Sequence, residues 1–117
     1  MEFEEIGIYN FSIVQGMTVV HSLFNWEVDG KPWDLSSASD IRVDFKTDAD
    51  RASAPALSLT RENGGLTAQS NNLEMNFGAN TTGMNPGVYL YDVLVIKNSL
   101  RYVFVRGQMI LNPTITK

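Results

Sequence analysis

The sequence predicts an all-β protein: a single antiparallel β-sandwich of about seven strands with an immunoglobulin-like shape, or else a small barrel. Two patterns carry this prediction. Apolar residues recur at every second position in several segments, and turn-forming residues separate those segments at intervals of roughly ten residues. With 117 residues, 44% of them hydrophobic, the chain has the size and apolar content of one domain with its own core. We therefore expect residues 1–117 to form one domain.

The first half of the chain predicts three strands. Residues 8–15 and 40–46 alternate between apolar and polar side chains, which is typical of strands with one buried face. Residues 17–26 carry apolar side chains on both faces, which predicts a central strand. Asp29-Gly30-Lys31-Pro32 predicts a chain reversal, because Asp-Gly tolerates positive φ and proline cannot donate to a sheet.

The second half predicts the remaining strands and one short turn. Residues 88–96 are apolar on both faces and rich in Val and Tyr, which predicts a central strand buried on both sides. Residues 81–84 carry the one helical signal, and Pro86 limits it to a 3₁₀ turn at most. Pro113 closes the last strand. The predicted strands are residues 8–15, 17–26, 40–46, 57–61, 72–77, 88–96 and 101–111, with a brief return at 66–69.

Composition excludes several classes of protein. The chain has no cysteine, so disulfides, thiol nucleophiles, cysteine-based zinc sites and the Cys-Trp-Cys signature of immunoglobulin domains are all absent. A net charge of −4 argues against a nucleic acid held through its phosphates. The start is acidic where a secretory signal would be basic, and residues 88–96 are far shorter than the ~20 apolar residues of a membrane helix. We expect no nucleic acid, no membrane and no cofactor.

Catalytic and metal sites are not predicted either. His21, the one histidine, lies mid-strand without an activated serine nearby in sequence, so it is interpreted as a strand histidine that packs or faces solvent. Asp40 and Asp44 alternate with apolar residues, which indicates solvated surface acids. Asp48 and Asp50 lack the glutamate of a calcium loop. No glycine-rich loop leads into a helix, so no nucleotide site is indicated.

Asp92 is the one charge within residues 88–96. A carboxylate buried without a partner is costly, so an inward Asp92 would need an ion pair or hydrogen bonds. Arg42 and Arg106 are the candidate partners. We interpret these three residues as a structural buried charge cluster, or Asp92 as an acid at the sheet edge.

Trp33 is the candidate partner-contact residue. It follows a turn whose Asp-Gly and proline fix the backbone, and a bulky side chain on a rigid turn loses little entropy on contact. The alternative is that Trp33 folds back and caps one end of the core. An exposed aromatic platform for sugars is the rival use of such rings, but most aromatics here alternate with core positions.

An ordered set of turn and strand-end residues spans nearly the whole chain. It consists of Gln15-Gly16 before a strand ending in Trp26, Asp-Gly-x-Pro-x-Asp-Leu at 29–35, Thr81 or Thr82 ahead of Gly-x-Tyr-x-Tyr-Asp at 87–92, Gly107, and Pro-x-x-Thr at 113–116. In this order the chain resembles small structural proteins of the tail or baseplate region of tailed bacteriophages and prophages. One departure is Ser37, where that family usually has glycine.

The resemblance implies a non-enzymatic virion structural protein of the tail, baseplate or a connector. It implies that the protein assembles with other virion proteins or with further copies of itself, through sheet edges and the loop of Trp33. It also implies a location in the host cytoplasm before assembly and in the virion afterwards. The alternative function is a ligand- or carbohydrate-binding β-sandwich module, which would need exposed coplanar aromatics. An enzyme, the third class, would need a pocket with a perturbed acid or base.

Overall fold

Strands dominate the computed structural model, which describes residues 7–23, 26–28, 31–48, 50, 52–78 and 80–115. Within these residues there is no helix. The strands are β1 (Gly7–Ile8), β2 (Phe11–Val14), β3 (Val19–Leu23), β4 (Glu27–Val28), β5 (Lys31–Pro32), β6 (Asp40–Lys46), β7 (Leu57–Thr60), β8 (Leu66–Gln69), β9 (Asn72–Gly78), β10 (Gly87–Lys97) and β11 (Leu100–Asn112).

Two sheets form a sandwich, as the sequence predicts. The large sheet has six strands in the order β1-β11-β10-β6-β7, with β2 also paired to β11. The small sheet has three strands in the order β3-β9-β8, and β4 and β5 form a separate antiparallel pair. Of the predicted reversal at residues 29–32, Lys31 and Pro32 form β5, and Asp29 and Gly30 lie outside the described residues. The central strand of the large sheet is β10, between β11 and β6.

The core lies between the two sheets. In β6, Ile41, Val43 and Phe45 are fully buried, and the polar residues between them face outward. The small sheet contributes Phe77 of β9, whose ring centroid lies 5.5 Å from that of Phe45. The alternation predicted for residues 40–46 and 72–77 is therefore confirmed, because each strand buries one face against the opposite sheet.

The sandwich is not purely antiparallel, and this part of the prediction is wrong. Both β1 and β2 pair in parallel with β11, with Gly7 opposite Val105 and Phe11 opposite Met109. No hairpin restrains these pairs, since the chain passes through the small sheet before it returns to β11. The predicted strand 8–15 is broken between β1 and β2, where Tyr9 crosses closely over Gly107: a Cβ on that glycine would lie 2.7 Å from the Tyr9 carbonyl carbon and closer still to its oxygen.

Two strands differ from their predictions: the sequence predicts a central strand for residues 17–26, and a central strand buried on both sides for residues 88–96. The strand β3 lies at the edge of the small sheet, and its Val20 is 54% exposed. The strand β10 is central, but its outward Val88 is 51% exposed. Apolar residues on both faces of a strand predict where apolar side chains point, but not whether another layer covers them.

The short turn at residues 81–84 joins the two halves of the chain. The Met84 amide donates to the Thr81 carbonyl (3.0 Å), which makes a turn and agrees with the prediction of at most a 3₁₀ turn. The Gly16 amide, at a residue with φ of +75°, donates to the buried Thr81 hydroxyl (2.8 Å). The Gln15 side-chain amide donates to the Met84 carbonyl (2.6 Å). Two segments of the ordered set described above are thus in contact.

Candidate functional site: the outer face of the large sheet

The candidate site is the side of β6, β10 and β11 that points away from the core. An open depression of about 840 Å³ lies over the middle of this surface. Its position follows from the cross-strand register of the three strands and the alternation of buried and exposed positions along them. The outer face comprises Asp40, Arg42, Asp44, Lys46, Val88, Leu90, Asp92, Leu94, Ile96, Arg101, Val103, Arg106, Gln108 and Ile110.

The middle of the outer face is apolar because β10 carries apolar residues on both sides. Its inward residues, from Tyr89 to Val95, are buried in the core. Its outward residues, apart from Asp92, are apolar and partly exposed. We call this set the apolar stripe: Val88, Leu90, Leu94 and Ile96.

Two rows across the outer face carry an acid on one side of β10 and a base on the other, while Arg42 and Lys46 of β6 lie beside Leu94 and Leu90. Asp92 has Asp44 of β6 on one side and Arg106 of β11 on the other. Ile96 has Asp40 of β6 on one side and Arg101 of β11 on the other. In both rows the acid lies on the β6 side and the base on the β11 side.

Asp44 is held in place by two neighbours. The Arg42 Nε donates to Asp44 Oδ1 at 2.9 Å, and the Ser58 hydroxyl of β7 donates to the same oxygen at 2.6 Å. A third hydrogen bond runs from the Arg42 guanidinium to the Ser58 oxygen (3.2 Å). This arrangement fixes the carboxylate on the outer face.

The prediction of a buried charge cluster at Asp92, Arg42 and Arg106 is wrong, because all three residues are exposed on the outer face. Arg42 pairs with Asp44, and Arg106 is the cross-strand neighbour of Asp92. The pKa of Asp92 is raised, mainly by desolvation in the depression and then by the charge of Asp44, against the opposing effect of nearby basic residues. Alternation decides the outcome: the neighbours of Asp92 in β10, Tyr91 and Val93, both point into the core.

Trp33 packs against the core, as in the second of the two alternatives that the sequence leaves open. It is half-buried, its ring meets that of Tyr102 edge-on at 5.3 Å between centroids, and the Lys97 ammonium lies 5.0 Å from its ring centroid. Its backbone amide donates to the Trp26 carbonyl (2.8 Å). These contacts cover one end of the sandwich.

His21 is a packing residue, which agrees with its interpretation from the sequence. Its Nε2 is 2.7 Å from the Tyr9 hydroxyl, and its ring stacks on Phe11 at 4.4 Å between centroids. Partial burial lowers its pKa. The ring therefore joins β3 of the small sheet to the chain beside β2 of the large one.

The acidic loop after β6 uses its carboxylates for turns. The Asp48 carboxylate accepts from the Asp50 amide (3.0 Å), and that of Asp50 accepts from the Ala52 amide (2.9 Å). Among the residues that the structure describes, no group of three or more potential metal ligands comes together.

The comparisons with protein-family models and with curated proteins give no match to this chain. In the described residues, no helix is long and apolar enough to span a membrane.

The sequence did contain a signal for the outer face, because the strand at residues 88–96 carries apolar side chains on both of its faces. The interpretation that both faces are buried concealed this signal.

Proposed function

We propose that this protein is a non-enzymatic structural subunit of a tailed-phage or prophage particle, of the tail, baseplate or a connector, that acts through protein–protein contacts. The observation that carries the proposal is the apolar stripe, a row of partly exposed apolar side chains on both sides of Asp92 at the centre of the large sheet. Exposed apolar surface rimmed by charge is typical of protein interaction sites. The order of turn residues that resembles virion structural proteins supports the same role.

The composition of the outer face fits an assembly surface better than a reaction centre. Its charged groups lie on the open face of the strands. The Asp44 carboxylate already accepts hydrogen bonds from Arg42 and Ser58. The partial cover of Trp33 by Lys97 and Tyr102 makes the sheet face, rather than the Trp33 loop, the main contact of the proposal.

Particle composition tests this role. Particles purified from a host that carries the intact gene should contain the protein, and deletion of the gene should block or alter assembly. A Leu94→Glu variant, which places a charge in the apolar stripe, should be missing from particles, whereas Val20→Glu on the edge of the small sheet should be incorporated. Normal particles that lack the protein would refute the proposal.

The alternative is a ligand- or carbohydrate-binding module that uses the depression of about 840 Å³. Its polar and charged lining could bind hydroxyl groups, but the aromatic ring in that lining, Tyr91, is buried. A glycan array would decide for this function if binding were lost on Arg106→Ala and kept on Val20→Glu.

A further inference from the structure

We propose that the outer face binds a second copy of this chain, sheet face against sheet face. The two-fold axis lies midway between the two sheets and runs parallel to β10, directly over that strand. The proposal rests on the assembly role for its biological purpose, and it names the first partner of that role. Three properties of the outer face support it: the apolar stripe, the placement of the charges and the size of the surface.

The apolar stripe is suited to contact with itself. In a two-fold interface the same patch serves both subunits, so an apolar centre meets an apolar centre. A two-fold axis along β10 lays Leu90, Leu94 and Ile96 against the same strand of the partner. Aligned sheets pack in this way in β-sandwiches, with strands that cross at about 30°.

The charges on the two sides of the stripe become complementary in this arrangement. Rotation about β10 places β6 of one copy over β11 of the other and keeps each row at its level. Asp40 then faces the partner's Arg101, and Asp44 faces the partner's Arg106. Each contact occurs twice, once on each side of the axis.

Of the two possible axes, the one along β10 gives the bases of β11 an acidic partner. A perpendicular axis would place β11 over β11, where neither Arg101 nor Arg106 meets an acid, and β6 over β6, where Asp40 can face the partner's Lys46. The outer face carries three acids and four bases, and with Asp48 and Asp50, which line the same depression, it is still less acidic than the whole chain, whose net charge is −4. Repulsion between two acidic copies is therefore small at this surface.

The size of the outer face predicts a reversible dimer. Strands of 7, 11 and 13 residues, about 4.8 Å apart and with a rise of ~3.3 Å per residue, present about 500 Å² per copy, or roughly 1,000 Å² in the pair. This is the lower end of the range for specific interfaces, which is typical of contacts that form and separate readily.

Asp92 is the one unfavourable contact of the dimer, because it lies near the axis and meets its own copy. Its removal should therefore strengthen association. We expect Asp92→Asn to lower the dimer dissociation constant by about threefold, as the loss of one like-charge contact at a partly exposed site predicts.

Sedimentation velocity over a micromolar to millimolar concentration series tests the proposal. The parent should shift from monomer to dimer. Leu94→Glu should raise the dissociation constant by at least about tenfold, because it places a charge in the apolar centre. The matched control Val20→Glu, on an exposed apolar residue of the small sheet, should leave it unchanged, and far-UV circular dichroism should show both variants folded.

Mixing of charge-reversed variants tests the geometry. Asp40→Arg alone and Arg101→Asp alone should each lose association, since like charges then meet on both sides of the axis. An equimolar mixture of the two should form a heterodimer. On one side of the axis the two substituted side chains meet as base and acid, and on the other side the native Arg101 of the first variant meets the native Asp40 of the second.

The outcomes separate this proposal from the assembly role. A parent that remains monomeric at every concentration, or a mixture of Asp40→Arg and Arg101→Asp that does not associate, refutes the dimer. Neither result bears on whether particles purified with the intact gene contain the protein, which is the test of the assembly role.

Discussion

Asp92 and Asp44 are neighbours on adjacent strands, but the two carboxylates have different surroundings. Asp44 accepts hydrogen bonds from Arg42 and Ser58, and their loss would cost stability. Asp92 is partly desolvated and lies beside Asp44, which raises its pKa. A raised folded-state pKa means that the charged form of Asp92 is disfavoured by folding.

The Asp92→Asn variant should therefore be as stable as the parent or slightly more stable at neutral pH, within about 0.5 kcal/mol. The advantage should disappear as pH falls below the ordinary value of 3.8, where the carboxyl group is protonated in both states. Urea midpoints of the monomer at pH 7 and about pH 3 measure this difference. Asp44→Asn is the control and should lose about 1 kcal/mol at neutral pH. A comparable loss in Asp92→Asn would show that Asp92 is stabilising.

His21 should give the protein a pH-dependent stability near neutrality. Its pKa is lowered by burial, so the unfolded chain takes up a proton at a higher pH than the folded one. The stabilisation that the neutral His21 ring contributes is fully present above its ordinary pKa of 6.5. It is lost as the pH falls through the lowered pKa of the folded state.

We expect the urea midpoint of the parent to fall more steeply between about pH 7 and pH 5 than that of His21→Phe, which keeps the ring but cannot take up a proton. Tyr9→Phe removes the hydroxyl 2.7 Å from His21 Nε2 but keeps the titrating ring, and should retain the slope. Equal slopes in the parent and His21→Phe would contradict the prediction.

The crossing of the first strands over β11 depends on a single glycine. The Tyr9 amide donates to the Arg106 carbonyl (2.9 Å), and the Tyr91 hydroxyl donates to the Tyr9 carbonyl (2.6 Å), so the Tyr9 backbone is held from both sides. Gly107 lies directly beneath that carbonyl. Backbone atoms cannot move aside here without the loss of the parallel pairing of β1 and β2.

Gly107→Ala should cost at least about 3 kcal/mol, because its methyl group would overlap the Tyr9 carbonyl group, 2.7 Å from the carbon and closer to the oxygen. Gly83→Ala is the matched control: a Cβ there meets nothing within 4 Å, and its stability should stay within about 1 kcal/mol of the parent. Chemical denaturation measures both. A Gly107→Ala protein with the parent's midpoint would show that the crossing can relax.

The strand pattern could be predicted where one face is wet and one is buried, as in residues 40–46 and 72–77. It was misleading for residues 88–96, because side-chain periodicity does not say whether a second layer covers a face. The opposition of Asp40 to Arg101 across Ile96 could not be predicted at all, since it depends on which strands are neighbours and in what register. The same lack of register made Arg42 a candidate partner of Asp92.

At the level of the whole molecule, aromatic rings join the two sheets. Phe77 of the small sheet lies 5.5 Å from Phe45 and 6.1 Å from Phe11 of the large sheet, between ring centroids. All three rings belong to one continuous core cluster. A shared core of this kind predicts that neither sheet is stable without the other, so the protein should unfold in a single cooperative transition.

The Phe77→Ala variant tests this coupling. Loss of a fully buried ring should cost about 3 to 5 kcal/mol, a large part of the roughly 5 to 15 kcal/mol typical of such a domain. Because the lost contacts reach β2 and β6, the denaturation midpoints by far-UV circular dichroism and by tryptophan fluorescence should fall together. Phe77→Leu, which retains most of the apolar volume, should give a smaller and equally coincident shift. Midpoints that separate in Phe77→Ala would mean that the large sheet, which bears the outer face, can remain folded when the small sheet has opened.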